Sequence, residues 1–227
     1  MEHVRQRAPV QHVCVNAAKL VAVARDPEFR RVVTNCGIIS ADGQSVVWAA
    51  RLLGQRLPAR VAGIDLMEVL LNDAAQAGHR VFFLGATDQV LDMAIARVCQ
   101  RHPNLRVAGR HHGYSPPAQD AEIAAMIRES DADILFVALP SPRKEKWLAE
   151  YQAVAGVPFA MGVGGSLDVV AGLVRRAPRW AQRAGLEWFF RMLQEPRRLT
   201  GRYARTNGAF AWMVFQEMKV RRGWRRP

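Results

Sequence analysis

Asp133-Ile134-Leu135-Phe136-Val137-Ala138-Leu139 is an apolar run closed by Pro140-Ser141-Pro142, and after the amphipathic stretch from Lys144 to Val154 a second apolar run, Pro158 to Val163, opens into Gly162-Val163-Gly164-Gly165-Ser166. Runs of this length, rich in branched residues and bounded by turn formers, read as buried strands, and the stretch between them repeats at helical spacing. A strand, a helix and a second strand make a crossover unit, which forces the two strands to run parallel. Working outward, His12 to Asn16, Arg80 to Gly85 and Leu105 to Gly109 read as further strands. Ser45 to Leu53, Leu66 to Ala77, Gln89 to Arg101 and Gln119 to Arg128 read as helices. The expected class is α/β, a mostly parallel sheet flanked by helices. Gly85-Ala86-Thr87, Ser141-Pro142 and Gly162 to Ser166 follow strands, and open sheets of this kind bind ligands in such loops.

With 227 residues the chain can bury one substantial core and carry an appendage. The expected division is a Rossmann-like catalytic domain over 1–176 and a basic, helical, aromatic appendage over 177–227. Charge supports it: residues 1–174 hold 18 Lys and Arg against 17 Asp and Glu, whereas residues 175–227 hold 14 against 3. Trp180, Trp188, Phe189, Met192 and Leu193 are expected to stripe one helix, which Glu195-Pro196 should break before a second segment carrying Phe210, Trp212, Met213 and Phe215. Arg197, Arg198, Arg202, Arg205, Lys219, Arg221, Arg222, Arg225 and Arg226 bracket these aromatics, a pattern suited to a helix lying in an anionic membrane interface. The opening MEHVRQRAPV lacks the apolar core of a secretory signal, and no run approaches the ~20 apolar residues of a spanning helix. Cys14, Cys36 and Cys99 form no pairing pattern and read as reduced thiols. A cytoplasmic protein bound peripherally to the inner face of the membrane is the expectation.

Asp42-Gly43 follows the apolar Gly37-Ile38-Ile39 and precedes a helix, so its carboxylate sits where a base could take a proton from an attacking hydroxyl. Gly162 to Ser166 leaves a strand for a helix, and its backbone N–H groups could meet a diphosphate. Leu167 occupies the last glycine position of G-x-G-x-x-G, which argues against a dinucleotide cofactor and so against an oxidoreductase. Arg143, Lys144 and Lys146 offer countercharge just past a buried strand. Asp131-Ala132-Asp133 matches the D-x-D pattern of metal-dependent sugar transferases, but it opens a strand and faces the wrong edge. His111-His112 lacks a spaced third ligand, so no metal and no cofactor are expected.

The chain resembles the WecG/TagA/CpsF glycosyltransferases, family 26, from Val13 to about Tyr203. The landmarks are Asn16, Ala41-Asp42-Gly43, Arg60 to Leu66, His111-His112-Gly113-Tyr114, Ser141-Pro142, Glu145-Lys146-Trp147, Gly162 to Gly165, Arg176-Ala177-Pro178 and Gly185-Leu186-Glu187-Trp188. The resemblance implies an inverting, metal-independent transferase. Its donor would be a UDP-sugar bearing N-acetylmannosamine, its uronate, or glucose, and its acceptor a saccharide on polyprenyl diphosphate used in cell-surface or exopolysaccharide synthesis. It further implies Asp42 as general base and Arg60 as an active-site residue. Cys14, Asn16, Asp65, His112, Tyr114, Lys144, Gly162, Gly164, Gly165, Arg191 and Arg198 are the implied substrate contacts. The appendage would dock on the membrane and close over the donor. Cys14 stands where the family often has Thr, and Lys144 where it has Gln. The partners expected are thus the donor, the lipid-linked acceptor and an anionic membrane; a homo-oligomer is allowed. A non-catalytic nucleic-acid binder, the alternative raised by the basic tail, finds no recognition module in the sequence.

Overall fold

The computed structural model describes residues 2–221, the side chains of Arg183, Arg198 and Arg202 excepted. Strands and helices alternate in the order α1 (Glu2–Arg5), β1 (Val10–Val15), α2 (Ala17–Arg25), α3 (Pro27–Thr34), β2 (Ile38–Ala41), α4 (Gln44–Leu52), α5 (Gly63–Ala77), β3 (Arg80–Gly85), α6 (Asp88–Arg101) and β4 (Arg106–His111). The order continues with α7 (Asp120–Glu129), β5 (Ile134–Ala138), α8 (Arg143–Ala155), β6 (Phe159–Gly162), α9 (Ser166–Val170), α10 (Arg179–Arg183), α11 (Glu187–Gln194) and α12 (Pro196–Arg221). The strands form one six-stranded sheet in the order β2-β1-β6-β5-β3-β4. Its pairings are parallel, with Val81 opposite Ile134, Ile134 opposite Phe159 and Val10 opposite Phe159. The expected α/β class is what forms.

The chain divides into two compact units: residues 1–13, 31–39 and 63–174, and residues 14–30, 40–62 and 175–227. In the first, β3 and β5 are buried on both faces, as a parallel strand with helices above and below must be. Phe82, Leu84, Leu135, Val137 and Ala160 pack with Ile123 and Ile127 of α7 and with Trp147 and Leu148 of α8. Phe83 and Phe136 alternate with them on the other side, their rings 5.8 Å apart. Gln152 of α8 spends its buried amide on the carbonyls of Val10 and Val157, 3.1 Å each, and so ties that helix to the ends of two strands.

In the second unit Phe210 and Val214 of α12 pack with Ala17 and Val21 of α2 and Val46 and Ala49 of α4. One side of α12 is therefore core, while Trp212 and Phe215 stay exposed, with the Lys219 ammonium 4.7 Å above the Phe215 ring. The aromatic stripe expected on one helix is divided: Trp180 lies on α10 and Trp188, Phe189, Met192 and Leu193 on α11, because Gly185 at φ +71° turns the chain between them. The break at Glu195-Pro196 falls where expected. Helices α1, α2 and α3 and strand β2 are additions to the sequence reading. No described helix is long and apolar enough to cross a membrane.

Two glycines set the carboxyl end of β3. Gly85 has φ +116°, and a Cβ there would lie 2.6 Å from the Ala138 carbonyl carbon. Gly113 would carry a Cβ 2.9 Å from the Gly85 Cα, and its N–H donates to Ala86 O at 2.9 Å. The loop after β4 thus rests directly on the end of β3. Gly85→Ala combines a strained φ with a backbone clash and should cost about 2–4 kcal/mol, read as a lowered urea midpoint at unchanged m-value.

Candidate active site

Asn16, Asp42 and His112 follow the carboxyl ends of β1, β2 and β4 and Lys144 opens the helix after β5, whereas Cys14 lies within β1, Gly162 ends β6, and Arg60, Asp65 and Arg191 come from segments that follow helices; the two units carry different sets. In the first unit, Lys144 is the second residue of α8. Its stem lies across Gly162, where a Cβ would sit 2.9 Å from Cδ and Cε, and its Nζ approaches Gly164, which turns at φ +52°. Only residues without side chains leave this channel open. Lys144 is 8% exposed and Glu145 1%, and their charged groups meet at 3.3 Å. The ammonium is thereby held beside the glycine loop.

That loop has less backbone to offer than its composition suggests. Val163 and Gly164 both direct their N–H groups to Val137 O, at 2.8 and 3.4 Å, and Ser166 N–H donates to Val163 O at 3.1 Å. The following helix, α9, has five residues and so a small macrodipole. Charge at this corner comes from Lys144. Arg143 turns the other way, to Ser115 O at 2.9 Å and Asp120 at 3.2 Å.

After β4, His112 Nδ1 accepts the Tyr114 N–H at 3.2 Å, which leaves Nε2 as the ring's outward nitrogen. His111 stacks on His112 with centroids 4.7 Å apart and places Nδ1 2.8 Å from His112 O. The Tyr114 ring, 75% exposed, stands beyond them. Asp65 is exposed in the first turn of α5. Asp133, by contrast, is spent on structure at the amino end of β5: it accepts from Arg80 N at 2.8 Å and pairs with Arg7 and His79.

In the second unit the chain gathers Cys14, Asn16, Asp42, Arg60 and Arg191. Asn16 caps α2, accepting from Lys19 N at 3.0 Å, so its carboxamide is committed to the helix on one side. Gly43 passes close to it, a Cβ there falling 3.7 Å from Asn16 Cβ. Cys14 Sγ is 3.5 Å from Ser40 Oγ. Asp42 is half-buried between β2 and α4, its N–H bonded to Val15 O at 2.8 Å, at the helix end that favours negative charge.

Two further segments bracket Asp42. Val61 N donates to Ala41 O at 2.9 Å, which brings Arg60 back beside the end of β2. Gly185 rests on Gln44, where a Cβ would lie 2.6 Å from Gln44 Cβ, so the turn that starts α11 sits two residues from Asp42. Glu187, first in α11, then reaches Arg60 at 2.8 Å and Arg176 at 3.6 Å. Arg191 is one turn further along the same face, its Nε buried without a hydrogen-bond partner among the described residues. The side chain of Arg198 lies outside the described residues.

Sequence reasoning assigned no role to Glu187 and Arg176, although both stand within quoted landmarks. The signal available was the i, i+4 spacing of Glu187 and Arg191. Two guanidinium groups paired with one carboxylate, a third one helical turn further on, and a half-buried aspartate in the same unit are groups that can hold an anion and accept a proton from a nearby hydroxyl.

The fit of Lys144 over Gly162 is directly testable. Gly162→Ala should lower stability by about 1–3 kcal/mol, and most of that loss should vanish when Lys144→Ala is also present, because the clash needs both side chains. Urea unfolding of the two single variants and the double variant measures this.

Comparison with known proteins identifies the family. Residues 1–224 match the family described as Glycosyl transferase WecG/TagA/CpsF. A Bacillus subtilis protein named N-acetylglucosaminyldiphosphoundecaprenol N-acetyl-beta-D-mannosaminyltransferase is 35% identical over 183 residues, covering 80% of this chain and 70% of its own. A Bacillus spizizenii protein of the same name is 38% identical over 174 residues, covering 77% of this chain and 67% of its own. With a match across nearly its full length, the chain belongs to the WecG/TagA/CpsF glycosyltransferase family.

Proposed function

We propose that the protein transfers N-acetylmannosamine from UDP to a saccharide carried on polyprenyl diphosphate, with inversion at the anomeric carbon and without a metal ion; the uronate and glucose are the other donor sugars to test. The observation that carries this reading is the convergence on Asp42 of the Arg60 segment and α11, in a chain whose relatives bear the names given above.

In this reading the acceptor hydroxyl attacks the anomeric carbon and gives its proton to Asp42. The bond from that carbon to the diphosphate oxygen breaks, and UDP leaves with the electron pair. One displacement converts an α-linked donor to a β-linked product, the configuration in the relatives' names. Arg60, Arg176 and Arg191 supply the positive charge that a departing diphosphate requires, and Lys144 is assigned to a substrate contact in the first unit. Metal independence is supported by the D-x-D pair, whose Asp133 is engaged by Arg7, His79 and Arg80 away from the strand ends that carry the site residues. Exposed Tyr114 and the outward nitrogen of His112 are assigned to donor or acceptor contacts. Asp65 in the first unit and Cys14 and Asn16 in the second are further proposed substrate contacts.

Residues 177–227 are assigned to an anionic membrane surface at the inner face, where a lipid-linked acceptor resides. Trp180, Trp188, Phe189, Leu193, Trp212 and Phe215 are exposed on helices rich in arginine, an arrangement suited to interfacial insertion.

Incubation with UDP-N-acetylmannosamine and an N-acetylglucosaminyl diphospholipid analogue should release UDP. Asp42→Asn should lower turnover by about 10²–10⁴-fold while UDP still binds, and near-normal turnover would remove Asp42 from the reaction. Replacing Trp212 and Phe215 together with Ser, both exposed, should weaken sedimentation with vesicles containing anionic lipid at least severalfold without lowering Tm. Unchanged sedimentation would refute the membrane assignment.

A further inference from the structure

Glu187 holds a position that a diphosphate-binding site does not obviously need. It is an anion among arginines, with Oε2 2.8 Å from Arg60 Nη1 and Oε1 3.6 Å from Arg176 Nε. The Arg60 side chain is 14% exposed and that of Glu187 27%, so this pair is screened by water less than a surface ion pair would be. The two arginines come from distant places in the chain, one from the segment bonded to Ala41 and one from the segment before α10. Glu187 spans them with separate oxygens. Its own position is fixed by the first turn of α11, and that helix is seated on Gln44 through Gly185.

We infer that Glu187 is a positioning residue: its carboxylate aims the Arg60 guanidinium at the leaving diphosphate and holds Arg176 in the same site, without itself touching substrate. The inference rests on the donor and on the role of Arg60 proposed above. Its physical basis is the planar fork of arginine. Of five N–H donors, Arg60 spends Nη1 on the Glu187 carboxylate, which tethers the group at one end and leaves the others directed elsewhere. A guanidinium held in this way stabilises charge developing in the transition state without reorganising as the reaction proceeds. Glu187 also cancels one of three positive charges, which limits how tightly the product UDP is retained.

These two effects separate in experiment. Glu187→Gln keeps the shape of the side chain and removes its charge. Binding of UDP, measured by calorimetry, should be unchanged or tighter, whereas kcat should fall about tenfold or more. Glu187→Asp, which keeps the charge, should recover part of the lost kcat. In an Arg60→Ala background the Gln substitution should change kcat by less than about twofold, because the group it positions is gone. A purely structural role for Glu187 predicts the opposite pattern, with UDP affinity and Tm falling alongside kcat and the same loss in both backgrounds; that pattern would overturn the inference. Failure of the wild-type protein to bind UDP would instead overturn the donor reading, and this assignment with it. Normal UDP binding and turnover combined with additive substitutions would overturn this assignment alone.

Discussion

A parallel strand cannot be left half-covered, and that constraint organises the first unit. Its crossover connections place helices on the sheet faces, so Val81 to Leu84 and Ile134 to Val137 are buried on both sides. Each buried apolar side chain contributes roughly 1.5–3 kcal/mol relative to exposure, and the central strands contain little else. Polar chemistry is thereby excluded from the strands themselves. It collects where they end, in loops whose backbones must pass close to one another.

Close passage of backbone and side chains accounts for four of the glycines. Gly85 and Gly113 let the loop after β4 rest on the end of β3, and Gly162 and Gly164 leave the channel through which Lys144 runs. A glycine cluster after a strand usually suggests backbone N–H groups free for an anion. Here Val163, Gly164 and Ser166 direct theirs to carbonyls, and Gly162 and Gly164 leave room for a lysine. The Lys144 ammonium has a buried carboxylate, Glu145, beside it, so its charge is met locally.

The second unit is organised by helices. The far end of the chain contributes Phe210 and Val214 to a core shared with α2 and α4, so α12 is both a structural wall and, on its other side, an exposed row of aromatic and basic residues. The same unit draws Arg60, Arg176, Glu187 and Arg191 toward Asp42 through one backbone hydrogen bond, Val61 to Ala41, and the close packing of Gly185 on the Gln44 side chain. Catalytic groups on short tethers to helix and strand ends are held more firmly than groups on long loops.

Local pattern made much of this visible. The alternation of short apolar runs with helical stretches specified the α/β class, because strand and helix periodicities are set by each residue's immediate neighbours. The placement of Asp131-Ala132-Asp133 at the start of β5 likewise followed from the run after it, and so did the break at Glu195-Pro196. Strand β2 was less legible: Ile38–Ala41 has four residues, partly exposed, too few to show alternation. Helices α2 and α3 are short and joined by Asp26, which ends one and caps the next through its carboxylate. The sequence by itself determined the fold class, the loops after the strands, and Asp42, Arg60 and Lys144 as residues of interest. Only the tertiary structure decided that Glu187 spans Arg60 and Arg176, that the glycine loop accommodates Lys144, and that α12 is half core. Each of those depends on contacts between segments far apart in the chain, and such contacts leave no periodic trace in the residues that make them.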